Sequence, residues 1–311
     1  MQSRLAPGIT FTKMHGLGNN FILIPWSRLS SEGTDPVLSR LAWTLCHQQM
    51  GVGADGLAVF TTAPTTGDLE MLYWNADGSS AEQCVNALRC VAFYHHMRSP
   101  GSPRCFGIKT PAGFHPVRVL ENGDIHVTLG VPIFGPGETP GTGGGEESWR
   151  VPLSTPAGDY EGVAVCLGNP HLIIEGSCRD FPLHQLGPSL EKHPFFPAGV
   201  NVTIAEMRGT DSIWAYTWER GVGLTLACGS AAAATLAALV RLGRCDRSAE
   251  VYMPGGDLRV SWSSDDSPIV LQGGASFVCD GTWIGEEVPR SVPMLGHFYR
   301  GFTQFLNEDD N

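Results

Sequence analysis

Cys84 and Cys228 stand in matching contexts on opposite halves of a 311-residue chain. In the first half Trp74-Asn75-Ala76-Asp77-Gly78 leads to Cys84-Val85-Asn86, and in the second Trp218-Glu219-Arg220-Gly221 leads to Cys228-Gly229-Ser230. Each cysteine opens a segment that reads as a helix. A thiol at a helix start has its thiolate favoured by free N–H groups and by the positive end of the macrodipole. Such a thiolate can act as a base, while the amides of Val85, Asn86, Gly229 and Ser230 can hold a carboxylate. Two such ends facing one another suit inversion at an amino-acid α-carbon: one thiolate removes a proton from one face and the other thiol delivers one to the opposite face. The amides would stabilise the charge that develops on the carboxylate, without pyridoxal phosphate or a metal. The competing readings of the pair are two buried small hydrophobes and a disulfide, the latter disfavoured in a reducing compartment.

The elements that would position these thiols also come in pairs. Gly18-Asn19-Asn20 is echoed by Gly168-Asn169-Pro170, and Gly51-Val52-Gly53 by Gly199-Val200-Asn201, in the same order as the cysteines. Collinear echoes indicate a tandem duplication, and two like halves packed about a pseudo-two-fold axis bring equivalent residues together at a domain interface. Residues 11–24 read as strand, loop and strand, with 13–20 as the loop. Helices are predicted over 38–48, 85–97 and 229–242, and strands over 57–60 and 71–74. After Pro103 the chain is β-rich around an Asn122-Gly123 turn, and residues 132–147 read as a loop or linker. The 229–242 helix is small or apolar on nearly every face, so it should be enclosed by strands, which recur near 249–253, 258–262, 269–272 and 275–279. The tail beyond Leu306 is expected to be loose. The fold class is α/β (α+β), with two pseudo-symmetric domains, each a curved, barrel-like mixed sheet around a central helix. Residues 1–128 plus 272–311 form the half carrying Cys84, and residues 129–271 the half carrying Cys228.

Composition narrows the partner. A net charge of −11 and the lack of any five-residue basic run argue against nucleic acid and for a small molecule. No apolar stretch reaches the roughly 18 residues of a membrane span, and the N-terminus lacks the apolar core of a signal peptide, so a cytoplasmic protein is expected. Nine cysteines in a chain of this length read as reduced thiols, with Cys46, Cys90, Cys166 and Cys279 buried as small hydrophobes. No metal-ligand spacing, dinucleotide fingerprint or Walker loop is present, so no metal and no cofactor are expected.

Seven ordered motifs resemble the diaminopimelate epimerase family over nearly the whole length. They are Lys13-Met14-His15-Gly16-Leu17-Gly18-Asn19, Gly51-Val52-Gly53-Ala54-Asp55-Gly56, Asn75-Ala76-Asp77-Gly78 with Cys84-Val85-Asn86, Gly168-Asn169-Pro170-His171, Val200-Asn201-Val202, Glu219-Arg220-Gly221 with Ala227-Cys228-Gly229-Ser230, and Pro254-Gly255-Gly256. The resemblance implies a cofactor-independent enzyme interconverting LL- and meso-2,6-diaminopimelate on the route to lysine and peptidoglycan, with that family's fold and a homodimer. It implies that Cys84 and Cys228 are the acid and base pair, with Cys84 drawn as donor and Cys228 as acceptor in one direction. It further implies substrate contacts from Asn19, Asn75, Asn169, Asn201, Glu219 and Arg220, reacting-carboxylate contacts from the amides of Val85, Asn86, Gly229 and Ser230, and support of catalysis by His171 and Glu219. A planar Arg220 for a distal carboxylate and Glu219 for an ammonium make a chemically matched set.

The chain departs from the family pattern at four places. Val85 stands where glycine is usual, Asn20 where aspartate is common, Gly56 where some members carry a substrate-contacting glutamine, and Leu224 where glutamate is frequent. None removes a catalytic group, but together they leave room for a shifted substrate. Two alternatives therefore stay open: another two-thiol racemase of histidine or hydroxyproline type, and a non-catalytic amino-acid-binding or redox-sensing relative. A phenazine-biosynthesis-type isomerase, which uses a carboxylate in place of paired thiols, is disfavoured by the presence of both cysteines.

Overall fold

A computed structural model describes residues 8–29, 35–63, 66–135, 149–156 and 158–292. In the first half lie β1 (Ile9–Gly16), β2 (Asn19–Pro25), α1 (Asp35–Cys46), β3 (Gly56–Thr62), β4 (Leu69–Asn75), β5 (Ser80–Ala81), α2 (Val85–Arg98), β6 (Cys105–Thr110), β7 (Gly113–Val119) and β8 (Ile125–Thr128). Two connecting strands follow, β9 (Ile133–Phe134) and β10 (Arg150–Thr155). The second half then runs β11 (Gly158–Cys166), β12 (Pro170–Glu175), α3 (Leu183–Leu190), β13 (Asn201–Gly209), β14 (Ser212–Glu219), β15 (Gly223–Thr225), α4 (Gly229–Arg241), β16 (Ser248–Met253), β17 (Gly256–Ser261) and β18 (Val270–Gly273), and β19 (Ser276–Trp283) is the last described strand.

The duplication is explicit in the strand pairing. β2 pairs in parallel with β3 across α1, as β12 pairs with β13 across α3. The β3–β4–β5 meander has its counterpart in β13–β14–β15, and the parallel pair β4–β6 in β14–β16. The strands form one continuous curved sheet, joined between halves where β18 pairs with β8, and β19 returns to pair with β1. Glycines recur at equivalent turns with matching left-handed φ: Gly18 at 80° and Gly168 at 82°, Gly53 at 75° and Gly199 at 78°. The turns need φ values that other residues adopt at a cost. By this measure Gly199 is the counterpart of Gly53, two residues from the expected partner Gly51.

Both central helices are enclosed. α2 buries ten of its residues and α4 eleven, and the two belong to one apolar core with the strands that wrap them. α4 is lined by Ala231 to Ala234 and Leu236 to Leu239 on all sides except Thr235, so only a surrounding sheet can bury it. The helices α1 and α3 pack on the outer sheet faces over two smaller cores.

Several boundaries differ from expectation. The residues 13–16 read as loop are strand, because Leu17 (φ 56°) and Gly18 (φ 80°) alone make a two-residue hairpin turn with Gly16 opposite Asn19. α1 ends at Cys46, before the expected Gln48, and the backbone turns so that Gly51 N–H reaches the His47 carbonyl at 2.9 Å. Cys46, Cys90 and Cys166 are buried as expected, but Cys279 is exposed, in a stretch of β19 where Val278, Cys279 and Asp280 are all open to solvent. Most of the proposed 132–147 linker, and the tail beyond Leu306, lie outside the described residues.

Candidate active site

Cys84 and Cys228 occupy the same place in their halves, each as the N-cap of its central helix with nearly identical backbone angles (φ −139°, ψ 108° and φ −131°, ψ 111°). The two helix starts meet. Asn86 Nδ2 donates to the carbonyl of Ala227, immediately before Cys228, at 2.9 Å, and Val85 packs against Gly229. A second bridge between halves joins Gln83 Nε2 to the Leu167 carbonyl at 2.8 Å. Both thiols line one cavity of about 180 Å³. Its walls also carry Asn19, Asn75, Val85, Asn86, Asn169, Asn201, Glu219, Arg220, Gly229 and Ser230. A wider cleft of about 610 Å³ shares Asn75, Asn169 and Arg220 with this cavity and forms its mouth.

The thiols sit in unlike electrostatic settings. Burial pushes Cys84 up to about 12; the backbone N–H groups of Ala87 and Asn86 and the charge of Arg89 oppose that, while Glu219 adds to it. Burial, then the carboxylate of Glu219, push Cys228 well above the ordinary thiol range, against hydrogen bonding from Ser230 and the Ala231 N–H. Glu219 is itself raised by burial, accepts a hydrogen bond from the Thr225 hydroxyl at 2.7 Å, and is held down by that hydroxyl and by the nearby Cys228 thiol. Glu219 is therefore placed to share the Cys228 proton.

The asparagines are held by fixed partners. Asn201 Oδ1 accepts from the Arg220 N–H at 2.9 Å and its Nδ2 donates to the Pro170 carbonyl at 3.0 Å, tying β13 to the turn after β14. Asn169 Nδ2 points to Ser230 Oγ at 3.4 Å, and its Oδ1 lies 3.0 Å from His171 Nε2. Asn75 Nδ2 donates to Ser79 Oγ, whereas Asn19 Oδ1 is buried with no protein donor. Arg220 lays its stem across Gly199 and donates to the Ala198 carbonyl at 3.1 Å, with its exposed guanidinium over the mouth.

Residues 11–134 and 163–278 match the family model described as diaminopimelate epimerase. The chain belongs to the diaminopimelate epimerase family. It is 36% identical over 274 residues to a diaminopimelate epimerase of Carboxydothermus hydrogenoformans, with 88% of this chain and 98% of that protein covered. It is 37% identical over 290 residues to that of Desulforudis audaxviator, with 88% and 99% covered. A hydroxyproline epimerase from Agrobacterium vitis, solved with trans-4-hydroxy-L-proline, shares the fold at a TM-score of 0.67, with 13% identity over 90% of this chain and 92% of that one.

Within this family member, the sequence-predicted site residues gather around one cavity, except His171. That side chain is fully buried behind Asn169, and burial followed by the nearby Arg220 push it down to about 3, so it is neutral and acts on the cavity only through Asn169. The departures from the family pattern also find their places. Leu224 lines the cavity, Asn20 donates through both its backbone N–H and its Nδ2 to Asp55 Oδ2, and Val85 leans on Gly229. At Gly56 a Cβ would lie 2.2 Å from the Tyr73 hydroxyl, so that hydroxyl occupies the space of a side chain at 56. Tyr73, Asp55, Gln83 and Thr225 line the cavity and were not singled out as site residues from sequence. Gln83 immediately precedes Cys84 and Thr225 lies three residues before Cys228, a proximity that could have flagged them.

Proposed function

We propose that this chain interconverts LL- and meso-2,6-diaminopimelate by proton transfer between Cys84, Cys228 and the substrate α-carbon. The observation that carries the reading is the convergence of two cysteine-headed helix starts on one cavity. The α-carboxylate binds the amides of Val85, Asn86, Gly229 and Ser230, where the partial positive charge of both helices is greatest. The α-carbon then lies between the thiols. One thiolate takes its proton, charge spreads into the carboxylate beneath the amides, and the opposite thiol protonates the other face. One thiol and one thiolate stand at the start and at the end, with their positions exchanged. Glu219 holds the Cys228 proton when that residue must become the base, and the reverse reaction uses the same groups in the opposite order.

Arg220 takes the distal carboxylate, Glu219 the ammonium, and Asn19, Asn75, Asn169 and Asn201 fix both amino-acid ends. The halves 1–128 with 272–311 and 129–271 act as the two jaws. The thiol and amide chemistry calls for no cofactor. A homodimer working in the cytoplasm is the further expectation that the family carries.

The test is incubation of reduced protein with LL-diaminopimelate and, separately, with L-histidine, L-proline and trans-4-hydroxy-L-proline, with chiral chromatography of the products. Formation of meso-diaminopimelate alone is expected. Inversion of a monocarboxylic substrate without turnover of diaminopimelate would reassign the specificity.

A further inference from the structure

Arg89 is a charge in the middle of an apolar core. It lies on α2 one turn beyond Cys84, its side chain is fully buried, and the residues around it on the helix are Leu88, Cys90 and Val91. Its Nε donates to the Gly274 carbonyl at 3.2 Å, between β18 and β19. Neither Nη atom has a hydrogen-bond partner, and no carboxylate pairs with the guanidinium among the described residues. A buried cation in that state is costly, and such groups persist where a countercharge offsets them.

The surroundings identify the countercharge. A Cβ on Gly16 would lie 2.9 Å from Arg89 Nη2, and one on Gly229 would lie 3.4 Å from Nη1. Neither glycine has a left-handed φ, so at Gly16 the missing side chain makes room for the guanidinium rather than for a turn. Gly229 is the first residue of α4, so the guanidinium reaches from one catalytic helix to the start of the other. The groups that would favour its charge when ionised are, largest first, Cys90, Cys84, Asp124 and Cys228. Asp124 is already engaged, its Oδ2 accepting from Gln272 at 2.8 Å and Asn122 at 2.9 Å. Cys90 is a buried thiol on the same helix.

We propose that Arg89 is the resident countercharge of the thiol pair, a positioning residue that keeps one negative charge in the site while leaving that charge free to alternate between Cys84 and Cys228. The inference rests on the two-thiol reading above. A fixed +1 behind both helix starts matches the single negative charge that the reaction passes from thiolate to substrate carbon to the other thiol. Arg89 does not line the cavity and touches no substrate. Because it contacts neither thiol by a hydrogen bond, it does not favour one direction of a reversible reaction. Of the other titratable groups facing the thiols, Glu219 from β14 opposes a thiolate at both, Tyr73 from β4 and Cys90 on α2 are pushed up by burial and hold their protons, and Asp55 from the loop before β3 lines the cavity.

The test follows alkylation of Cys84 and Cys228 by iodoacetamide against pH, mapped by peptide mass spectrometry, in R89M, R89K and D124N. It needs no substrate, so it fails or succeeds independently of the substrate assignment. In R89M the alkaline limb should move up by roughly one pH unit, a tenfold loss of thiolate at fixed pH, with R89K restoring most of it. Epimerase kcat should fall in parallel with KM held within about threefold, the pattern of a group that acts in the transition state. D124N, which removes a competing anion and leaves the guanidinium in place, should move the limb down, and it keeps the test open if R89M does not fold. An unmoved limb in D124N, or in folded R89M that has merely lost thermal stability, would overturn the proposal and leave Arg89 a structural strut.

Discussion

Val85 fills the space that a side chain on Gly229 would need: a Cβ built there would lie 2.9 Å from Val85 Cγ1. The first residues of the two central helices are thus complementary in size, and the bulk that replaces the family's usual glycine at position 85 is accommodated by the absence of bulk at 229.

Gly229→Ala should therefore destabilise the protein by about 1–3 kcal/mol, the usual cost of overpacking a closed core. Pairing it with Val85→Gly should recover much of that loss. Chemical denaturation of the two single variants and the double variant measures the coupling, and strictly additive effects would show that the two residues do not compete for space.

Arg220→Ala should raise KM for diaminopimelate by roughly 10–100-fold, the range for losing a charge-assisted hydrogen bond to a carboxylate. The loss should be far smaller for binding of a monocarboxylic amino acid. Isothermal titration with the two ligands separates the cases, and equal losses would remove the distal-carboxylate role.

His171 sets an acid limit on stability. Its pKa is pushed down to about 3 in the folded chain, from an ordinary value of 6.5, because burial disfavours the imidazolium. The depressed value means that its contribution is present above about pH 6.5 and is lost progressively as pH falls toward 3, where the unfolded chain binds the proton first. His171→Gln should flatten the fall in Tm between pH 6.5 and 4 relative to wild type, measured by calorimetry. An unchanged slope would place the acid sensitivity in other buried histidines, such as His115.

The thiols should differ in reactivity before substrate is added. Cys84 is half-buried and its thiolate is supported by the Ala87 and Asn86 amides, whereas Cys228 is buried and faces the Glu219 carboxylate. Iodoacetamide should modify Cys84 several-fold faster at pH 8, as expected when thiolate fraction and access set the rate. Faster labelling of Cys228 would contradict this asymmetry.

Much of the fold was legible because it is written twice. The collinear glycines and cysteines indicated the duplication, the apolar surface of 85–97 marked one helix, and the 229–242 segment, small or apolar on nearly every face, marked another that only an enclosing sheet could bury. The hairpin after Gly16 was misplaced because polar Lys13 and His15 hide a strand whose alternate residues, Thr12, Met14 and Gly16, are buried. At the site, residue types pointed to the groups that line the cavity but not to who holds whom. Asn86 spends its amide on the Ala227 carbonyl, and His171 stands one residue back from the cavity, relationships made by strand register between distant segments. The Tyr73 hydroxyl above Gly56 and the Arg89 guanidinium beside Gly16 were equally hidden, because each fills space left by a glycine far away in sequence.

The most direct measurement is the isotopic pattern of early turnover of LL-diaminopimelate in deuterated water, reading stereochemistry and α-deuterium in both product and recovered substrate. Two opposed thiols predict meso product carrying one α-deuterium from the first turnovers while the remaining LL substrate stays unlabelled. Deuterium appearing equally in recovered substrate and product at low conversion would mean that a single base returns protons to both faces, and would contradict the pairing of Cys84 with Cys228.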